Sequence, residues 1–153
     1  MKFTTENSEN IGQQRLVYLI DEYSFFTGNV NNKIDLELIV NKISLVVEDN
    51  KIVDVNGYCG LGNWMKSNYE IPEFRKGILK VEHTLKYGFA YGINSDEDDE
   101  FPVYVNIQTG WVCVGNPEKM GNAVEFINNC VAVIGRDQEF VSLWLRPDAL
   151  PNI

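Results

Sequence analysis

Hydrophobic and polar positions alternate most regularly between Phe101 and Gly115, FPVYVNIQTGWVCVG. Phe101, Val103, Val105 and Ile107 fall on one face and Pro102, Tyr104, Asn106 and Gln108 on the other, the period of two that marks a strand. Gln108-Thr109-Gly110 supplies a turn, because glycine takes positive φ without a Cβ clash, and Trp111 to Val114 resumes with β-favouring types. The stretch predicts a hairpin at the centre of a sheet. Ile34, Leu36, Leu38 and Val40 alternate in the same way, and Ile43 to Glu48 and Lys51 to Val55 flank Asp49-Asn50 as a second hairpin. Val124 to Ile127 predicts a short strand. Cys130 to Ile134 and Phe140 to Leu145 predict a third hairpin around Arg136-Asp137-Gln138. In its second arm Val141, Leu143 and Leu145 form the core face, and Phe140, Ser142, Trp144 and Arg146 the other.

A different period precedes these strands. Leu16, Leu19, Ile20, Tyr23 and Phe26 recur at spacings of three and four, with Ser8 or Asn10 as a cap and Gly28-Asn29 as a stop, which predicts a helix from about residue 10 to 27. Pro72 starts a second apolar stripe, Phe74, Ile78, Val81 and Leu85, which ends at Gly88. The same segment also alternates through Leu79, Val81, His83, Leu85, Tyr87, Phe89, Tyr91 and Ile93, so strand and helix compete. The start and stop signals favour helix over residues 72 to 87, with a short strand from Phe89. The expected fold is therefore α+β, a mainly antiparallel sheet with two packed helices, in a single domain over residues 1 to 153 whose first nine residues are flexible. Trp111, Val112, Val114, Val131, Val133, Leu143 and Leu145 are the expected core.

Composition narrows the function classes. The chain has 153 residues, with 44% hydrophobic and 12% aromatic positions, enough to bury a core without disulfides or a structural metal. Nothing at its start resembles a signal peptide, and no apolar run reaches membrane-span length, so the expected compartment is the cytoplasm. Cys59, Cys113 and Cys130 are odd in number and widely spaced, which fits reduced core thiols. With His83 the only histidine, a zinc site lacks its second imidazole.

The formal net charge is −9. Residues 1 to 86 hold 10 Lys/Arg against 12 Asp/Glu, whereas residues 87 to 153 hold 3 against 10, so the C-terminal half carries the field. Such a chain repels phosphate backbones and anionic lipid, which argues against direct nucleic-acid or membrane binding and favours a basic protein partner. The charge is densest in Asp96-Glu97-Asp98-Asp99-Glu100, immediately before the central hairpin. Five adjacent carboxylates either stay solvated or meet Lys and Arg of a partner.

Other motifs fail on spacing. Gly57-Tyr58-Cys59-Gly60-Leu61-Gly62-Asn63-Trp64 is glycine-rich, but Met65 stands where a dinucleotide fingerprint needs its third glycine, and the phosphate-loop ending is absent. A strand leading out into a loop explains the glycines better, and Trp64 and Met65 are candidate exposed apolar anchors there. Counted from Asn94, an EF-hand would have Asp99 at the turn glycine and Val105 at the bidentate glutamate, so a calcium loop is ruled out. Asp35, Glu37, Glu48 and Asp54 are expected on a wet strand face, with nothing to hold two of them at a catalytic separation.

The order FPVYVNIQTGWVCVG, EFINNC, EFVSLWLRPDALP in the last third of this short acidic chain resembles the small bacterial immunity proteins of contact-dependent growth inhibition and related polymorphic toxin systems. The resemblance implies a non-enzymatic binding protein that occludes the active site or substrate path of one cognate toxin domain, often a nuclease with a basic surface. It implies no catalytic residue, metal or cofactor. On charge and exposure, Asp96, Glu97, Asp98, Asp99 and Glu100 lead the candidate contact residues, with Tyr104 and Trp64 beside them. The competing expectation is a small enzyme or ligand-binding domain with a cleft near residues 57 to 64 and Cys59 or His83 as its reactive group.

Overall fold

The computed structural model describes residues 1–28, 34–94 and 100–153. The described chain is nearly all β, with 48% of residues in strands and 2% in a single 3-10 turn, Leu61–Asn63. Its strands are β1 (Phe3–Asn7), β2 (Val17–Leu19), β3 (Ser24–Phe26), β4 (Leu36–Val40), β5 (Ile43–Glu48), β6 (Lys51–Tyr58), β7 (Trp64–Lys66), β8 (Arg75–Val81), β9 (Ala90–Gly92), β10 (Val103–Val105), β11 (Val112–Gly115), β12 (Asn122–Ile127), β13 (Cys130–Ile134) and β14 (Phe140–Leu145). They form one curled, mixed sheet, a half-barrel, in the order β7-β10-β11-β14-β13-β12-β8-β6-β5-β4-β9. β1 pairs with β8, and the β2–β3 hairpin attaches through β3 to β6. No helix among the described residues is long and apolar enough to cross a membrane.

The α+β expectation is corrected at both helices. Residues 10 to 27 hold β2, β3 and the turn between them, where Tyr23 has φ 51°. Of the proposed stripe only Leu16 is fully buried, whereas Leu19, Ile20 and Tyr23 are exposed. Val17-Tyr18-Leu19 instead pairs with Ser24-Phe25-Phe26, and the latter finds a ladder on β6, with Phe25 opposite Gly57. The segment from 72 to 87 contains β8, and its burial alternates at Gly77, Leu79 and Val81. Gly77 decides between the two periods. A Cβ there would lie 2.4 Å from the Glu6 carbonyl oxygen and 2.7 Å from Val124 Cγ2, so β1 and β12 close around bare backbone. The polar start of the chain, expected to be frayed, forms β1 in register with β8, Phe3 opposite Val81.

The hairpins form where the alternation places them. β10 and β11 pair antiparallel, Val103 with Val114 and Val105 with Val112, and Asn106 closes the turn by accepting the Gln108 and Thr109 amides on Oδ1. β5 and β6 turn through Asp49 and Asn50, both at positive φ, the geometry of a tight two-residue hairpin. A bulge between Val46 and Val47 in that pair shifts the alternation along β6, and Asp54, expected on the wet face, is buried where Thr27 Oγ1 donates to its carboxylate.

Every residue of β13 and β14 is buried, because both faces of this half of the sheet are covered. The concave face contributes Val103, Val105, Val112, Val114, Ala132, Leu143 and Leu145 to a core shared with Leu36, Leu38, Leu45, Val47 and Leu79 of the other half. The convex face carries a second cluster, Trp111, Cys113, Val131, Val133, Val141 and Trp144, which Tyr69 and Ile71 of the segment after β7 roof over. All seven residues expected in the core are buried. The facing of β14 differs from expectation at one point: a bulge opposite Val133 and Ile134 moves Val141 to the Trp144 side and Phe140 to the Leu143 side.

Candidate functional site

At one end of the half-barrel four segments converge on a cleft of about 680 Å³. They are the β4–β5 turn with Asn41 and Lys42, the end of β6 from Tyr58 to Gly60, the start of β7, and residues 100 to 103 leading into β10. The glycine-rich stretch is thus a strand end opening into a mouth, and Gly57 makes the approach possible. Its φ is +144°, and a Cβ there would sit 2.6 Å from the Lys42 carbonyl oxygen.

Trp64 is not an exposed anchor. It is 7% exposed, stacked on Phe25 at 6.0 Å between ring centroids and met edge-on by Tyr18 at 5.3 Å. Both partners come from the β2–β3 hairpin, so the misread helix is what hides the indole. Trp64 forms a wall of the cleft. Its Nε1 is buried beside the Cys59 sulfur without making a full hydrogen bond. The exposed apolar surface near the mouth belongs to others: Tyr58 at 48%, Tyr23 at 47% and Met65 at 44%. The Tyr23 carbonyl accepts the Cys59 amide at 2.7 Å, and the Lys42 ammonium lies 5.6 Å from the centroid of the Tyr58 ring.

Asn94 and Phe101, which flank in sequence the segment expected to contact a partner, are both bonded to Asn41. Asn41, at φ 55°, accepts the Asn94 side-chain amide at 2.7 Å and the Phe101 backbone amide at 2.8 Å on its Oδ1, and donates from Nδ2 to the Phe101 carbonyl at 3.0 Å. Its own backbone amide donates to Asn94 Oδ1 at 3.1 Å. Asp96, Glu97, Asp98 and Asp99 lie outside the described residues. Glu100 is exposed and lines the cleft.

Of the candidate residues, the mouth brings Trp64 and Glu100 together and leaves Tyr104 apart. Tyr104 is half-buried on the convex face, edge-on to Tyr69 at 5.1 Å, because it alternates with the inward Val103 and Val105. Tyr58, Lys42 and Asn41 are mouth residues that sequence reasoning missed as site members. Tyr58 stood in the glycine-rich stretch, flanked by its signal; Asn41 carried none beyond an asparagine at a strand end.

Burial pushes the Cys59 thiol up to about 11, the Trp64 indole opposing and the Glu100 carboxylate adding to the rise, so Cys59 is a protonated thiol at neutral pH rather than a nucleophile. Burial likewise raises Cys113, to about 12, and Cys130. His83 is exposed in the turn after β8 and does not line the cleft. Among the described residues no three His, Cys, Asp or Glu side chains are grouped to hold a metal. No protein-family model matches the chain, and no curated protein matches it.

Proposed function

We propose that this chain is a binding protein of the immunity type, which docks a basic toxin domain on the mouth of the half-barrel and blocks the toxin's active site or substrate path. The observation that carries the reading is the Asn41 clip, which ties Asn94 and Phe101, the described residues that flank the acidic run in sequence, to one turn at the rim of a cleft edged by exposed Tyr58 and Met65. Aromatic side chains and methionine are enriched at the centres of protein interfaces, and a rim of one charge sign accelerates encounter with the opposite sign. A net charge of −9 supports a basic partner. The resemblance of the last third to immunity proteins supports the partner class.

Stopped-flow association with a toxin domain of basic surface, sought as the product of a neighbouring gene, tests this reading. Replacing Asp96, Glu97, Asp98, Asp99 and Glu100 by Asn or Gln leaves the fold intact and slows association, most at low salt, where the screening length is longest. Equal on-rates for both proteins at low ionic strength refute a steering role for the run. A second reading, a small-ligand site, draws on the mouth cleft itself, whose volume lies in the range of ligand pockets, about 300–1,000 Å³. Cys59 contributes no nucleophile to it.

A further inference from the structure

The mouth contains one arrangement that bears on what part of a partner enters it. The Tyr58 ring is half exposed and lies beneath the ammonium of Lys42, and among the described residues Lys42 is the one Lys or Arg, and Glu100 the one acid, that line the cleft. Neither Lys42 nor Glu100 makes an ion pair within the described residues. The ring therefore holds a cation supplied by its own chain, weakly, on an exposed face, with a carboxylate in the same cleft. The cleft is far larger than one side chain, and Met65 adds exposed contact surface to it.

Resting on the reading of a basic partner given above, we infer that the mouth accepts an arginine-bearing loop of that partner, whose guanidinium replaces the Lys42 ammonium on the Tyr58 ring with Glu100 as its counter-charge. Arginine fits better than lysine because a planar guanidinium stacks on an aromatic face while its N–H groups remain free for a carboxylate. Glu100 accepts the charge-assisted hydrogen bonds. Lys42 is then a competitor. It occupies the ring in the free protein and repels the incoming cation, so its removal strengthens binding although it contacts the site.

The test is an NMR titration at low salt with acetyl-Gly-Arg-Gly-Arg-Gly-amide, and with the Ala-for-Arg peptide as control. The arginine peptide shifts the amide signals of Tyr58, Gly60 and Met65, and the control does not. Lys42→Met tightens the peptide Kd about threefold, Tyr58→Phe leaves it unchanged, and Tyr58→Leu weakens it by about three- to fivefold, the range of an exposed cation–π contact. Unchanged or weaker binding by Lys42→Met, or wild-type binding by Tyr58→Leu, overturns the site. Lys42 and Tyr58 are both exposed, and an unaltered urea midpoint confirms that each variant is folded. Running the same variants against the toxin domain separates the two readings. Toxin binding indifferent to Lys42→Met and Tyr58→Leu overturns the mouth site and leaves the basic partner standing; peptide binding with the expected signs but no toxin binding supports the cation site and removes the toxin.

Discussion

Replacing Asn41 tests whether Asn94 and Phe101, on either side of the acidic run in sequence, are fixed by one side chain. Asn41→Ala removes three side-chain hydrogen bonds, to the Asn94 amide and to the Phe101 amide and carbonyl, and leaves an alanine at φ 55°. Each bond is worth about 1 kcal/mol net, and the left-handed backbone adds about 1–2 kcal/mol for a residue with a Cβ and no local hydrogen bond. Asn41 and Phe101 are half-buried, so water replaces part of what is lost, and about 2–3 kcal/mol is the expected total. Asn41→Gly divides the two contributions. It tolerates positive φ but still loses the bonds, so it costs about 1–2 kcal/mol, which at this chain length is a fall of about 2–8 °C in Tm. Urea unfolding supplies the totals, and amide hydrogen exchange at Phe101 supplies the local readout. Faster exchange at Phe101 in both variants is expected. Wild-type protection of that amide in Asn41→Gly, with an unchanged midpoint, would refute the clip.

Three further predictions concern the body of the fold. Leu143, fully buried opposite Val114 and Ala132, loses about 2–5 kcal/mol on replacement by Ala, and an unchanged urea midpoint would contradict its place in the core. Gly77→Ala drives a methyl group into the Glu6 carbonyl and Val124, so it destabilises by about 1–3 kcal/mol or more, whereas Gly62→Ala, with open space around it, moves the midpoint little. Cys59 has a folded pKa of about 11 against an ordinary value of 9.0, so above pH 9 the unfolded chain has lost a proton that the folded chain keeps. Stability therefore falls as pH rises from 9 to 11. Alkylation by iodoacetamide at pH 8 is slow for all three native thiols and fast in urea; rapid native labelling of Cys59 would show the thiol open to the cleft.

The strands that alternate over several residues and turn on local signals were legible in the sequence: Phe101 to Gly115, the Asp49-Asn50 hairpin and the β13–β14 pair. The two helices were not. Leu16, Leu19, Ile20, Tyr23 and Phe26 carry a helical spacing, yet the partner that decides their state is β6, whose strand lies far along the chain and outside any local window. In the second case both periods were present, and Gly77 decided it for a reason visible only in three dimensions, the close approach of β1 and β12. The site followed the same division. Charge density marked Glu100, because net charge is a property of sequence. Trp64 was misplaced, because what covers it are Tyr18 and Phe25 of a hairpin read as helix. Asn41 was invisible, because its role depends on a backbone angle and on two residues beyond β9.

β8 is also the strand through which the two halves of the sheet are continuous. Arg75 and Lys76 pair with β12, Lys80 pairs with β6, and Gly77 to Val81 pair with β1. The first strand therefore has no partner until the middle of the chain is made, and the link from β8 to the second half of the sheet needs β12. Such non-local pairing places this fold among slow, topologically demanding folders, in the range of milliseconds to seconds. During that interval the unpaired edges of β1 and β8 are exposed together. Lys2, Glu6, Lys76 and Lys80 lie on or beside those edges, with Lys80 closing onto Glu6 at 2.6 Å once the strands meet. Charges spread along both strands disfavour pairing with a second chain while the proper partner is still being assembled, so the lysines of this seam act as a guard on its edges.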